Sequence, residues 1–183
     1  MRGVTHNLAA SGHVVVTITA GGHSLVGAFE CRSQRILDVL NDASTDFLRV
    51  RQVAVFRQIR GECIAHLHDV TIPTSAVRFA ALQGDKHDAS LRQYAFVGKQ
   101  AHRAIVVCDG HEMCGTVMAT GTADPVSALG KDASMFFAVT DVQVSNDVTN
   151  ESFRMPMTFV NKTMVSFMHV IKERHTSGEP RTA

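Results

Sequence analysis

Two short stretches gather side chains able to hold a metal. Cys108-Asp-Gly-His-Glu-Met-Cys114 sets two thiols and an imidazole within one short run, a donor set that suits zinc. Their placement depends on the turn between them. If Asp109-Gly110 is a two-residue hairpin loop, Cys108 pairs with His111 and Ile105 with Cys114, and the two thiols point to opposite faces. A four-residue loop pairing Cys108 with Met113 segregates them equally, whereas an odd-length loop would bring them together. We therefore expect structural cysteines and no metal or cofactor. His66 and His68 share one face of any strand that holds them, as two ligands can, but the residues aligned with them, Arg154 and Pro156, cannot ligate, so a solvent-facing pair is expected.

The densest basic patch is Arg49, Arg51, Arg57 and Arg60. Arg49 and Arg51 alternate with Leu48 and Val50, which puts the two guanidinium groups on the outward face of a strand. Such a face suits a nucleic-acid backbone, a solvated strand or a subunit contact. With no tryptophan and one tyrosine, base stacking would fall to phenylalanines or Tyr94. The sequence has no glycine-rich nucleotide loop and no nucleophile elbow, and His111-Glu112 runs into Met113-Cys114-Gly115 without completing a zinc-protease motif. Catalytic residues are expected to be none.

The elements that must position these groups are best read from a stretch that occurs twice. Arg35–Val55 aligns with Asp124–Val144 at a shift of 89 positions. Leu40-Asn41 matches Leu129-Gly130, and Asn and Gly are the residues that most readily close a helix in the left-handed conformation. Asp124 and Pro125 suit the opposite end of a helix, so each copy is expected to hold one short helix. Downstream, Leu48 and Val50 alternate on even positions and Val53 and Val55 on odd ones; Phe137 and Val139, then Val142 and Val144, change parity at the same aligned place. A change of parity needs an extra residue, hence a bulge or sharp bend. Bent strands make the corners of small barrels.

Each copy begins with a hairpin: His13–Thr19, the Ala20-Gly21-Gly22 turn and His23–Cys31 in the first, then His102–Cys108, Asp109-Gly110 and His111–Ala119 in the second. Gly27 and Gly115 fall mid-strand at a shift of 88, where a missing side chain permits a bend or close packing. Each copy is read as ending on one alternating strand, Thr71–Phe79 and Phe159–Phe167. The basic patch is not duplicated, because Ala138, Thr140, Asn146 and Thr149 take its places. The expected organisation is a first small β-barrel over 1–83, a linker over 84–90, a second barrel over 91–171 and a mobile tail over 172–183. The fold class is thus mainly β, two tandem small barrels with one short helix each.

This succession, with Arg35-Ile-Leu-Asp-Val-Leu-Asn41, Phe47-Leu-x-Val50 and the closing Val160-Asn-Lys-x-Met-Val165, resembles the Sm-like (SH3-like) small β-barrel and is similar to uncharacterised bacterial Sm-like domain proteins. The resemblance implies assembly into a ring or closed dimer through edge strands, and RNA as an alternative partner. Ile59-Arg-Gly-Glu-Cys-Ile64 has the letters of the second Sm signature, but its aligned counterpart is Asp147–Ser152 and the closing strands lie near Pro73 and Asn161, so we read it as coincidence.

Composition agrees with a globular protein. Of 183 residues, 45% are hydrophobic and 19% charged, and 18 Lys+Arg against 17 Asp+Glu leave the formal charge at +1. Residues 1–90 hold nine basic and eight acidic groups and 91–183 nine of each, so neither half has the excess expected of a nonspecific polyanion binder. No apolar run approaches the roughly 20 residues that span a bilayer. Neither an export signal nor a membrane partner is expected, and Cys31, Cys63, Cys108 and Cys114 are read as reduced thiols of a cytoplasmic protein. The sequence points to a non-enzymatic protein-binding module that forms a homo-oligomer, with RNA binding through Arg49, Arg51, Arg57 and Arg60 as the alternative.

Overall fold

The computed structural model describes residues 13–31, 34–58, 61–83, 99–120, 134–146 and 151–171. The expectation of a mainly β chain holds. Ten strands form one open antiparallel sheet: β1 His13–Ala20, β2 His23–Glu30, β3 Phe47–Arg57, β4 Glu62–Pro73, β5 Val77–Leu82, β6 Lys99–Cys108, β7 His111–Thr120, β8 Phe136–Asn146, β9 Glu151–Asn161 and β10 Val165–Val170. Their order across the sheet is β10-β6-β7-β8-β9-β5-β1-β2-β3-β4. A single helix, α1 (Ile36–Leu40), is described between β2 and β3. The expected second helix, the linker 84–90 and the tail lie outside the described residues.

The hairpin turns follow from their residues. Gly21 and Gly22 have φ of 54° and 76°, and Asp109 and Gly110 have 47° and 76°, the left-handed pair that a two-residue hairpin requires. β1 therefore pairs with β2 from Ala20↔His23 outward, and β6 with β7 from Cys108↔His111 outward.

The parity change is a bulge in both β3 and β8. Gln52 and Asp141 each take a φ of 50°, and the ladder to the preceding strand slips there, between Val26 and Ala28 in one case and Cys114 and Thr116 in the other. Leu48, Val50 and Val53 all stay buried across the break, as do Val139, Val142 and Val144. Opposite each bulge sits a glycine. A β-carbon on Gly27 would lie 2.8 Å from Val50 Cγ1 and 2.9 Å from the Arg51 carbonyl oxygen; on Gly115 it would lie 2.7 Å from Val139 Cγ1 and 2.9 Å from the Thr140 oxygen. The backbones approach that closely only because those side chains are missing.

Two sequence expectations need correction. The closing stretches are not single strands: a 3-10 turn at Thr74–Ala76 separates β4 from β5, and another at Lys162–Met164 separates β9 from β10. Alternation cannot reveal this break, since one turn of 3-10 helix carries the chain from one ladder to the next while apolar residues resume on both sides. Asn41 does not close α1 in the left-handed conformation; its φ is −100°, because its side chain is committed elsewhere, as described below. The apolar cores do not divide one per half. Phe136, Met157 and Phe159 pack with the core built on β1–β5, and Phe79 of β5 packs with the core of β6–β10.

Replacing Gly27 or Gly115 with alanine should destabilise the protein by about 1–3 kcal/mol, the usual cost of overpacking against backbone that cannot yield. Denaturant unfolding midpoints at unchanged slope measure this.

Candidate functional site

The described residues offer three places to look: the sequence-derived candidates, the junction between β5 and β9, and the two outer edges of the sheet.

The metal candidates are dispersed. Cys108 is buried on β6 and its thiol faces the Arg78 carbonyl at 3.7 Å; burial pushes its pKa up to about 11. Cys114, paired with Ile105 as the two-residue turn requires, lies beside the Arg103 guanidinium at 3.4 Å. His66 and His68 are exposed on β4, His66 at 3.5 Å from the Cys63 thiol and His68 bonded through Nδ1 to Asp69 at 2.6 Å. That contact holds the Asp69 carboxyl below its usual range. No three His, Cys, Asp or Glu side chains converge as a metal site among the described residues.

The basic residues are placed along β3. Arg49 and Arg51 are exposed between buried Leu48 and Val50, as their alternation predicts. Arg51 lies 3.7 Å from Glu30 and 3.9 Å from Asp69. A cleft of about 270 Å³ beside them is lined by Phe29, Phe47, Arg49 and Arg51, and also by Glu30 and Asp42. Arg57 is at the far end of the strand, opposite His23 and Glu62, up to about 26 Å along the chain from Arg49 at 3.3 Å per residue. Arg60 lies outside the described residues. The arginines are thus spread out and partly matched by acids. Of the stretch Ile59–Ile64, Gly61 takes a φ of 60° and the residues from Glu62 on begin β4, while Ile59 lies outside the described residues.

The junction is where polar side chains are most committed. β5 and β9 share only a short ladder, Phe79↔Val160, Ala80↔Phe159 and Ala81↔Thr158. Three groups reinforce it. Asn41, just past α1, donates from Nδ2 to the Phe136 carbonyl at 3.0 Å and accepts the Phe136 amide on Oδ1 at 2.7 Å, thereby completing the start of β8 as a neighbouring strand would. Asn161, fully buried at the end of β9, donates to the Val77 carbonyl at 2.9 Å and accepts from the Thr163 amide at 3.0 Å. Arg78 of β5 forms an ion pair with Asp109 of the β6–β7 turn. Sequence reasoning missed Asn41 and Asn161 in these roles, having treated the first as a helix terminator and the second as part of a closing strand.

His111 sits in the same junction. Its ring meets Phe79 edge-on with centroids 5.0 Å apart. Nδ1 lies 3.1 Å from the Asp109 carbonyl oxygen, so that nitrogen must carry the proton and donate. Nε2 then accepts from the Asn146 side-chain amide at 2.9 Å and faces the Gln58 amide at 3.5 Å. Burial is the main influence holding its pKa below the ordinary histidine value, opposed by Asp109. The site is therefore built around a neutral imidazole.

The outer edges differ from this. β4 and β10 each pair on one side only. Among the described residues, the exposed large hydrophobics are Phe47, Ile64, Leu67, Phe167 and Ile171. Ile64 and Leu67 belong to β4, Phe167 to β10, Ile171 follows β10 directly, and Phe47 begins the strand next to β4. No helix of the described residues is long and apolar enough to cross a membrane.

No protein-family model, curated protein or solved structure matches the chain.

A histidine kept neutral when folded contributes stability that is complete above its unfolded pKa near 6.5 and is lost as pH falls through its lower folded value. Wild-type protein should therefore lose unfolding free energy below about pH 6.5, and a His111→Gln variant should lose less over the same interval; chemical denaturation between neutral and mildly acid pH checks it.

Proposed function

We propose that this chain consists of two tandem Sm-like small β-barrels and acts without catalysis in the cytoplasm, through protein contacts that include association with itself. Support for the tandem reading comes from the strand order, in which β5-β1-β2-β3-β4 recurs as β10-β6-β7-β8-β9. The glycine-and-bulge pairs at Gly27/Gln52 and Gly115/Asp141, and the 3-10 turns at Thr74–Ala76 and Lys162–Met164, recur at shifts of 88 or 89.

The observation that carries the functional reading is the apolar character of the two open edges. An unpaired strand presents a row of amides and carbonyls ready to accept another strand, and here that row is accompanied by Ile64, Leu67 and Phe167. Single exposed apolar residues are ordinary, but their placement on the edges and flanks of one sheet supports reading those edges as contact surfaces. Strand addition uses backbone bonds for affinity and side chains for choice of partner.

RNA binding through Arg49, Arg51, Arg57 and Arg60 is the alternative. Arg49 and Arg51 do line an exposed cleft, but Glu30, Asp42 and Asp69 around them would oppose a phosphate backbone. We expect no salt-sensitive retention of single-stranded RNA at low ionic strength, and therefore no effect of Arg49→Ala with Arg51→Ala; retention abolished by that pair would favour RNA instead.

Sedimentation velocity over a wide concentration range should show a species larger than the monomer that grows with concentration. A single monomeric boundary throughout would count against self-association.

A further inference from the structure

We propose that the face of β6–β9 turned away from the buried valines of β8 holds a site for a dicarboxylic amino acid, with Arg103 and Arg154 taking its two carboxylates and Asp141 its ammonium. The proposal is independent of self-association, because it uses neither open edge of the sheet.

A cleft of about 380 Å³ lies on this face, and Arg103, Cys114, Asp141, Gln143, Arg154 and Pro156 are among the residues that line it. Strand register brings them together. Cys114 pairs with Gln143 and Gln143 with Arg154, so the three make one row about 10 Å long at roughly 4.8 Å between strands. Arg103 of β6 meets the row at its other end, its guanidinium 3.4 Å from the Cys114 thiol. Asp141 is the bulge residue of β8, unpaired in the ladders to both β7 and β9. Pro156, which has no amide to donate, lies between the β9 residues that pair with Thr140 and Val142. The ladder is thus interrupted where the cleft lies.

Charge selects the ligand. Among the described residues, Arg103, Arg154 and Asp141 have no ion-pair partner, whereas Arg51 and Arg78 are each matched by an acid. Two unmatched cations and one unmatched anion are complemented group for group by a molecule with two carboxylates and one ammonium. A monocarboxylate leaves one guanidinium unanswered, and a dianion without an amine, or a phosphodiester chain, sets no cation against Asp141. Guanidinium suits carboxylate because it offers two parallel N–H donors. Gln143 donates its amide to Ser152 at 3.2 Å, which leaves its side-chain oxygen to accept from an ammonium beside Asp141.

The fold does not demand these groups. Where the second half carries Arg103, Cys114, Asp141, Gln143 and Arg154, the first carries Val15, Val26, Gln52, Ala54 and His66. That half builds the corresponding strands and the same left-handed bulge without a guanidinium or a carboxylate at any of these places.

Cys114 supplies the readout, since a ligand seated between Arg103 and Arg154 covers its thiol, while Cys63 is exposed on β4 and reports general reactivity. The full chain is alkylated with iodoacetamide at rising L-glutamate or L-aspartate, with ionic strength matched by sodium chloride, and the rate at each cysteine is read by peptide mass spectrometry. Saturable slowing is expected at Cys114 and none at Cys63, with a smaller effect from glutarate, which lacks the ammonium, and from γ-aminobutyrate, which lacks one carboxylate. Arg154→Gln, a change at an exposed position, should raise the half-protecting concentration at least about tenfold, the effect of losing a hydrogen bond between charged groups. Asp141→Asn, a replacement that tolerates the φ of 50°, should abolish the preference for glutamate over glutarate. Equal protection of the wild-type chain by glutarate and glutamate would make this a plain anion site and overturn the proposal. Absence of saturable protection by either amino acid, or protection unaltered by Arg154→Gln, overturns it as well.

Discussion

A β-sheet always leaves backbone donors and acceptors bare at its two ends, and the pairing of β5 with β9 decides how many such ends this protein has. Two separate five-strand groups would present four. Joining them through Phe79↔Val160, Ala80↔Phe159 and Ala81↔Thr158 reduces the number to two. Three residue pairs are few for a contact that holds half the molecule to the other half. The side chains around it compensate: Asn41 completes the backbone of Phe136, Asn161 satisfies the Val77 carbonyl, and Arg78 pairs with Asp109. Buried amides of this kind are costly if left unmatched, so they favour one register over its neighbours.

The same joint explains the distribution of apolar side chains. Each group sends aromatic residues across it, Phe136 and Phe159 in one direction and Phe79 in the other. Neither core is complete without the other half. The bulges at Gln52 and Asp141, made possible by Gly27 and Gly115, keep the valines of β3 and β8 inward on both sides of the bend.

Much of this was legible in the sequence because it depends on local patterns. Glycine pairs and Asp109-Gly110 announced the hairpins, and the parity change at Val50/Val53 and Val139/Val142 announced the bulges. The separation of Cys108 from Cys114 followed from turn length alone. What escaped was non-local. Nothing within several residues of Asn41 indicates that its amide will bond a residue 95 positions away, and alternation over Thr71–Phe79 cannot show that two ladders meet there. The charge around the arginines was equally hidden, because Glu30 and Asp69 reach Arg51 from the strands on either side. A count of basic residues along one strand says little about the potential over it.

The joint also sets a problem of timing on the ribosome. β5 is synthesised roughly 80 residues before the part of β9 that covers it, an interval of several seconds at about 5–20 residues per second. Throughout that interval Phe79 and the edge of β5 that will meet β9 lack their cover, the other edge being paired with β1, and polysomes hold many nascent chains in the same condition close together. A short strand of six residues, with Arg78 set among its apolar neighbours, limits indiscriminate pairing during those seconds.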